Sequence, residues 1–194
     1  MSKLEIILGT MFSGKTTYLI NKLVLLADLN FKILYININF DNRSNYKFST
    51  HNTLISYENL MNKESIKRNV NMYKANKDEL LKINYKEYDV IMIDEGQFFS
   101  NIVDFVKILL KEKKIIYVAS LKADFKGEKF GEVIDLIPIS DDVIILNAVC
   151  AICAKEKINN NAIYSMRIIN NNNEKVCIGG GDKYMPVCRC HYSE

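Results

Sequence analysis

With 194 residues, 48% of them hydrophobic, the chain has the material for one α/β domain, or one domain with a small appendage. A formal net charge of +3 and a pI of about 8.5 are mildly basic and on their own do not argue for nucleic acid. No apolar stretch reaches transmembrane length and no export signal is visible, which points to the cytoplasm and reads the five cysteines as thiols or metal ligands, not a disulfide framework.

The first predicted element is a short buried strand, Leu4–Leu8. It runs into Gly9-Thr10-Met11-Phe12-Ser13-Gly14-Lys15-Thr16, and Thr17–Ala27 follows with helical spacing and no Gly or Pro. The string spells G-x-x-x-x-G-K-T between a strand and a helix, the setting a phosphate-binding loop requires. Glycine lets successive N–H groups face a phosphate, and the positive helix end adds attraction. Lys15 would then reach the β- and γ-phosphates, and the Thr16 hydroxyl would join the shell of a magnesium ion.

A second strand is predicted over Lys32–Asn37 and a polar loop, with Asp41, Arg43 and His51, over Phe40–Thr53. The stretch 54–88 is ambiguous, with a helix near Asp78–Ile83. Tyr88–Asp94 reads as an apolar strand ending in acid, Asn101–Lys113 as an amphipathic helix with Val103, Val106 and Leu110 on one face, and Ile115–Ala119 and Val143–Leu146 as further buried strands. Alternating strands and helices imply a parallel sheet covered by helices, with ligands at the carboxyl ends of its strands. Asp94 would there hold magnesium, directly or through water, and Glu95 would polarise a water or take a proton from a hydroxyl.

Past Leu146 the alternation stops and cysteines accumulate, which divides the chain into a nucleotide-binding part, 1–146, and a small module, 147–194. Asn170–Asn173 reads as a loop joining strands at Ile163–Ile169 and Lys175–Ile178. Cys150-x-x-Cys153 and Cys188-x-x-His191 form two knuckles with 34 residues between them. Three thiolates and one imidazole suit a tetrahedral zinc ion, and four protein ligands leave no open position, so the metal would be structural. Cys190 competes for the last place, but C-x-C is tighter than the usual knuckle; Cys177 reads as a buried thiol. Gly179-Gly180-Gly181 between the knuckles lets the backbone pass close to a ligand.

Taken together, Met11–Thr17, Asp94-Glu-Gly-Gln-Phe-Phe99, Leu121–Gly131, Ala148–Cys153 and Ile178–Arg189 resemble the type II thymidine kinases, the cellular, poxviral and bacterial family. The resemblance implies transfer of the γ-phosphate of ATP-Mg²⁺ to the 5′-hydroxyl of thymidine, with Glu95 as general base. It implies that Gly9 to Thr17, Asp94 and Asp41 hold the nucleotide and its magnesium, and that Arg43, in a D-x-R loop, neutralises phosphate. Met11, Leu121 and Tyr184 match the wall near the thymine 5-methyl. Phe98, Phe125 and Phe130 match the aromatic side, and Gln97 is placed with the substrate as well. Val176, Cys177, Ile178 and Gly179 match the loop that covers the base, pinned by the zinc knuckles. The family further implies a homotetramer in the cytoplasm, inhibited by thymidine triphosphate, with no nucleic acid or membrane partner. Lys122, Lys126 and Lys129 stand where the family often has Asp, Arg and Pro, and Cys177 where it has Val. The alternatives are an ATPase whose zinc ribbon grips nucleic acid, or a GTPase. Against the first stand apolar residues beside the cysteines, against the second the missing Asn-Lys-x-Asp string near Ala119–Lys122.

Overall fold

The computed structural model describes residues 2–39, 57–169 and 180–192. Six strands form an all-parallel sheet: β1 (Lys3–Gly9), β2 (Ile33–Ile38), β3 (Val70–Ala75), β4 (Val90–Ile93), β5 (Ile115–Leu121) and β6 (Asp142–Leu146), in the order β3-β2-β4-β5-β1-β6. Strand alternation assigns the two faces. Leu4, Ile6 and Leu8 of β1 point one way with Ile36, Ile91, Ile93, Ile116 and Val118, under Ile102, Phe105, Val106 and Leu109 of α4 (Ile102–Lys111). Ile7, Ile33, Tyr35, Met92 and Ala119 point the other way, under Leu19, Ile20 and Leu23 of α1 (Lys15–Asp28). Both faces of the inner strands are covered, so those strands read as apolar runs and not as alternating patterns.

The α/β parallel sheet expected from the sequence is the observed fold, and its strands match to within a few residues. Four local expectations are corrected. β6, expected as a buried strand, pairs with β1 alone at the sheet edge and exposes Val143 and Ile145. The stripe that α4 buries is Ile102, Phe105, Val106 and Leu109, spaced i, i+3, i+4, i+7; Val103 and Leu110 only flank it. The helix expected near Asp78–Ile83 is one 3-10 turn, Leu80–Lys82. The ambiguous stretch before it holds α2 (Tyr57–Asn62), α3 (Glu64–Asn69) and β3. β3 escapes notice because it is an edge strand that pairs with β2 alone and exposes Asn71, Tyr73 and Lys74.

Beyond residue 147 a second small core gathers Ala148, Cys150, Cys153, Ala162, Val187 and Cys188. It is framed by β7 (Ala148–Val149) with β8 (Asn161–Ala162), by α5 (Ala151–Lys155), and by β9 (Tyr164–Arg167) antiparallel to β10 (Tyr184–Val187). The partner of the strand expected at Ile163–Ile169 is therefore β10; Lys175–Ile178 and the loop Asn170–Asn173 lie outside the described residues. No helix among the described residues is long and apolar enough to cross a membrane.

Candidate functional site

The loop between β1 and α1 is shaped by close packing. A Cβ on Gly9 would lie 2.3 Å from Ser13 Oγ and 2.5 Å from the Leu146 carbonyl oxygen, so only glycine fits there. Gly14 has φ 86, the left-handed turn from which α1 starts. Inside the loop, the Ser13 hydroxyl and the Lys15 ammonium both donate to the Thr10 carbonyl, at 2.9 and 2.8 Å. Burial lowers the Lys15 pKa, although Glu95 and Asp94 nearby favour its charge.

Asp94 leaves the end of β4 toward this loop. Its Oδ2 accepts the Thr16 hydroxyl at 3.0 Å and the Tyr35 hydroxyl at 2.8 Å, and its Oδ1 accepts the Glu95 N–H at 3.0 Å. Burial, then the Glu95 charge, push its carboxyl up to about 7, against the pull of Tyr35, Thr16 and Lys15. Hydroxyl and carboxylate oxygens converging at the loop are the hard donors that magnesium prefers, so Thr16 and Asp94 could hold that ion.

Glu95 takes a left-handed backbone, φ 56, where β4 turns into the 3-10 segment Gly96–Phe98. Gln97, expected at the substrate, makes its described contacts inward. Its Nε2 donates to Glu95 Oε2 at 2.6 Å, and its Oε1 accepts the Ser120 hydroxyl and the Leu121 N–H, both at 3.0 Å. Two donors on Oε1 fix which way the amide faces, so the NH₂ is turned to Glu95. Gly131, at φ 69, packs against this turn: a Cβ there would meet the Gln97 carbonyl oxygen at 2.3 Å. Gly131→Ala should therefore destabilise the protein by roughly 1–3 kcal/mol, the scale of local backbone strain, and disturb the Gln97–Glu95 contact. An unchanged melting temperature and unchanged turnover would contradict this.

The aromatic residues form two groups. Phe98 and Phe130 meet edge to face with centroids 5.3 Å apart. Phe125 lies under the Arg167 guanidinium, 3.8 Å from ring centroid to Cζ, and Arg167 donates to the Tyr184 hydroxyl at 3.1 Å. The Phe125 carbonyl accepts the Tyr192 hydroxyl at 2.9 Å, which ties the 121–131 segment to the C-terminal core. Sheet register sets Leu121 beside Gly9. The Met11 N–H donates to Ser165 Oγ at 2.9 Å, joining the loop after β1 to β9. Ser165, Arg167, Ser120 and Tyr35 belong to no motif, and sequence reasoning missed them. Asp41 and Arg43, and Val176, Cys177, Ile178 and Gly179, lie outside the described residues.

At the far end, Cys150, Cys153, Cys188 and His191 bring one ligand atom each within 4.8 Å of one another. His191 Nδ1 is 3.5, 3.4 and 3.4 Å from the sulfurs of Cys150, Cys153 and Cys188, and the Cys153 and Cys188 sulfurs are 3.9 Å apart. A tetrahedron with ordinary zinc bond lengths has edges of about 3.6 Å between nitrogen and sulfur and about 3.8 Å between sulfurs, so the four residues fit zinc. Burial would raise the Cys150 thiol, but N–H groups of Cys153, Cys188 and Ile152 and the His191 ring bring it down to about 6. Cys190 is exposed and outside the cluster.

The sequence model of a family described as thymidine kinase matches residues 2–192. Thymidine kinase 1 of Dictyostelium discoideum is 35% identical over 99% of this chain and 78% of its own length, and the thymidine kinase of vaccinia virus strain Ankara is 36% identical over 97% of this chain and 96% of its own. The crystal structure of the flagellar accessory protein FlaH from Methanocaldococcus jannaschii aligns with TM-score 0.55 over 74% of this chain and 70% of that one; at 17% identity it shows the fold alone. A match of this extent, on a chain whose acidic pair, glycine-rich loop and Cys/His cluster stand as described, settles the affiliation: the chain belongs to the thymidine kinase family.

Proposed function

We propose that this enzyme of the thymidine kinase family moves the γ-phosphate of ATP onto the 5′-hydroxyl of thymidine, giving thymidine monophosphate and ADP. The observation that carries the reading is the 3.0 Å bond from Thr16 to Asp94, which joins the glycine-rich loop to the acidic pair at the end of β4. In this reading the loop N–H groups and Lys15 cradle the triphosphate, and Lys15 neutralises charge that builds on the β,γ-bridging oxygen as it leaves. Glu95 accepts the 5′-hydroxyl proton while that oxygen attacks the γ-phosphorus. Thr16 and Asp94 would hold magnesium, which when bound supplies charge neutralisation to the triphosphate. Phosphoryl transfer depends mainly on positioning and electrostatics, which is what these residues offer. Arg43 and the covering loop 176–179 complete the proposal. So do a unit at 147–194 that anchors the loop through zinc, a homotetramer, and inhibition by thymidine triphosphate in the same pocket.

A coupled assay with thymidine and ATP tests the reaction, and thermal shift with thymidine, ATP, GTP and oligonucleotides separates the classes. Stabilisation by oligonucleotides with no response to thymidine would replace the kinase reading by a nucleic-acid-dependent ATPase. Lys15→Ala is expected to cripple turnover and leave thymidine affinity nearly unchanged; equal loss of both would indicate misfolding. Deoxyuridine, lacking one methyl, should be a poorer substrate by roughly 10–200-fold, and deoxyadenosine and deoxyguanosine should not react. Efficient purine phosphorylation would contradict the pocket formed by Met11, Leu121 and Tyr184.

A further inference from the structure

Tyr35 stands in the middle of β2, 1% exposed, packed with Ile7, Met92 and Ala119 on the α1 face of the sheet. By its sequence setting it is a core aromatic. Yet its hydroxyl travels along the sheet to the carboxyl end of the neighbouring strand and donates to Asp94 Oδ2 at 2.8 Å. The same oxygen accepts Thr16 at 3.0 Å, and Oδ1 accepts the Glu95 N–H. A carboxylate offers about four acceptor positions, two per oxygen. Among the described residues three are therefore taken, by donors from three different parts of the chain, and one, on Oδ1, is left over. Thr16 and Glu95 belong to the parts of the site that meet substrates. Tyr35 sits inside the sheet, on the strand between β3 and β4. Without it, Oδ2 would be held by the Thr16 hydroxyl alone and Oδ1 by the adjacent Glu95 N–H.

We propose that Tyr35 is a positioning residue for the divalent cation that accompanies the triphosphate: it locks the Asp94 carboxylate so that its free acceptor position faces the cation or a water bound to it. The inference rests on the reading of Asp94 as the metal-holding acid. Phenylalanine at position 35 keeps the ring in the core and removes the hydroxyl.

The test is Mn²⁺ binding to the protein–ADP complex, followed by electron paramagnetic resonance, for the wild type, Tyr35→Phe and Asp94→Asn. Steady-state kinetics over a magnesium range accompany it. Tyr35→Phe is expected to weaken Mn²⁺ binding roughly tenfold, the scale of one hydrogen bond to a charged group. The magnesium concentration for half-maximal rate should rise in step, while thymidine KM and kcat at saturating magnesium stay within about twofold. Unchanged Mn²⁺ affinity in Tyr35→Phe, with Asp94→Asn impaired, would overturn the positioning role alone. Unchanged affinity in Asp94→Asn would overturn the assignment of Asp94, and the inference with it. A fall in kcat at saturating magnesium with unaltered metal affinity would show that the hydroxyl serves the fold and not the cation.

Discussion

Glu95→Gln is expected to lower kcat by roughly 10²–10⁴-fold, the range for a positioned acid–base group, with ATP and thymidine still bound. The substitution is clean in this structure. A glutamine carbonyl at 95 can still accept the Gln97 NH₂, which now meets Glu95 Oε2 at 2.6 Å, and Gln97 is held from behind by Ser120 and Leu121. The left-handed backbone at 95 is no harder for glutamine than for glutamate. What the variant loses is the ability to take a proton. Near-normal kcat would remove Glu95 from the role, and loss of substrate binding would show that its charge serves the ground state.

Cys153→Ser, or strong chelation, should release about one zinc per chain and weaken thymidine far more than ATP, by roughly tenfold or more against about twofold. Cys153 is buried among Cys150, Val187 and Cys188, so the Cys/His cluster is also the centre of the second core. That core has few apolar residues of its own, and its two sheets have only two strands each. Loss of the ion should loosen β9 and β10, and with them Tyr184 and the Arg167 guanidinium that lies over Phe125. The loop after β1 has internal support from Ser13 and Lys15 and should suffer less. Four protein ligands leave no place for a water, so the effect is on order and not on Lewis acidity. Amide hydrogen exchange confined to β9 and β10 would match this; active protein with no zinc on elemental analysis would sink it.

The parallel sheet was legible because strands covered on both faces write themselves as near-continuous apolar runs, as in Ile33–Ile38 and Ile115–Leu121. β3 was not, because an edge strand with one polar side looks like loop. The Cys/His cluster was legible from spacing: C-x-x-C and C-x-x-H each place two donors on one turn, and only the bringing together of the two turns was left to the fold. The inward role of Gln97 was not legible, since it depends on Ser120 and Leu121, which become its neighbours only through strand pairing. The same holds for Tyr35 and Ser165. Each offers a hydroxyl from a buried position on a strand, and no local pattern marks such an atom.

The bond from the Met11 N–H to Ser165 carries a thermodynamic consequence. It gives the glycine-rich loop and the β9–β10 pair a shared strut, so displacing one costs the other a hydrogen bond. Whatever factor thymidine applies to the affinity for ATP, ATP must apply to the affinity for thymidine, because the cycle of binding steps closes. The free energy of that coupling can be read from either side: a calorimetric titration of thymidine with and without a non-hydrolysable triphosphate, and the reverse titration, should return the same number. Ser165→Ala should shrink both by the same amount.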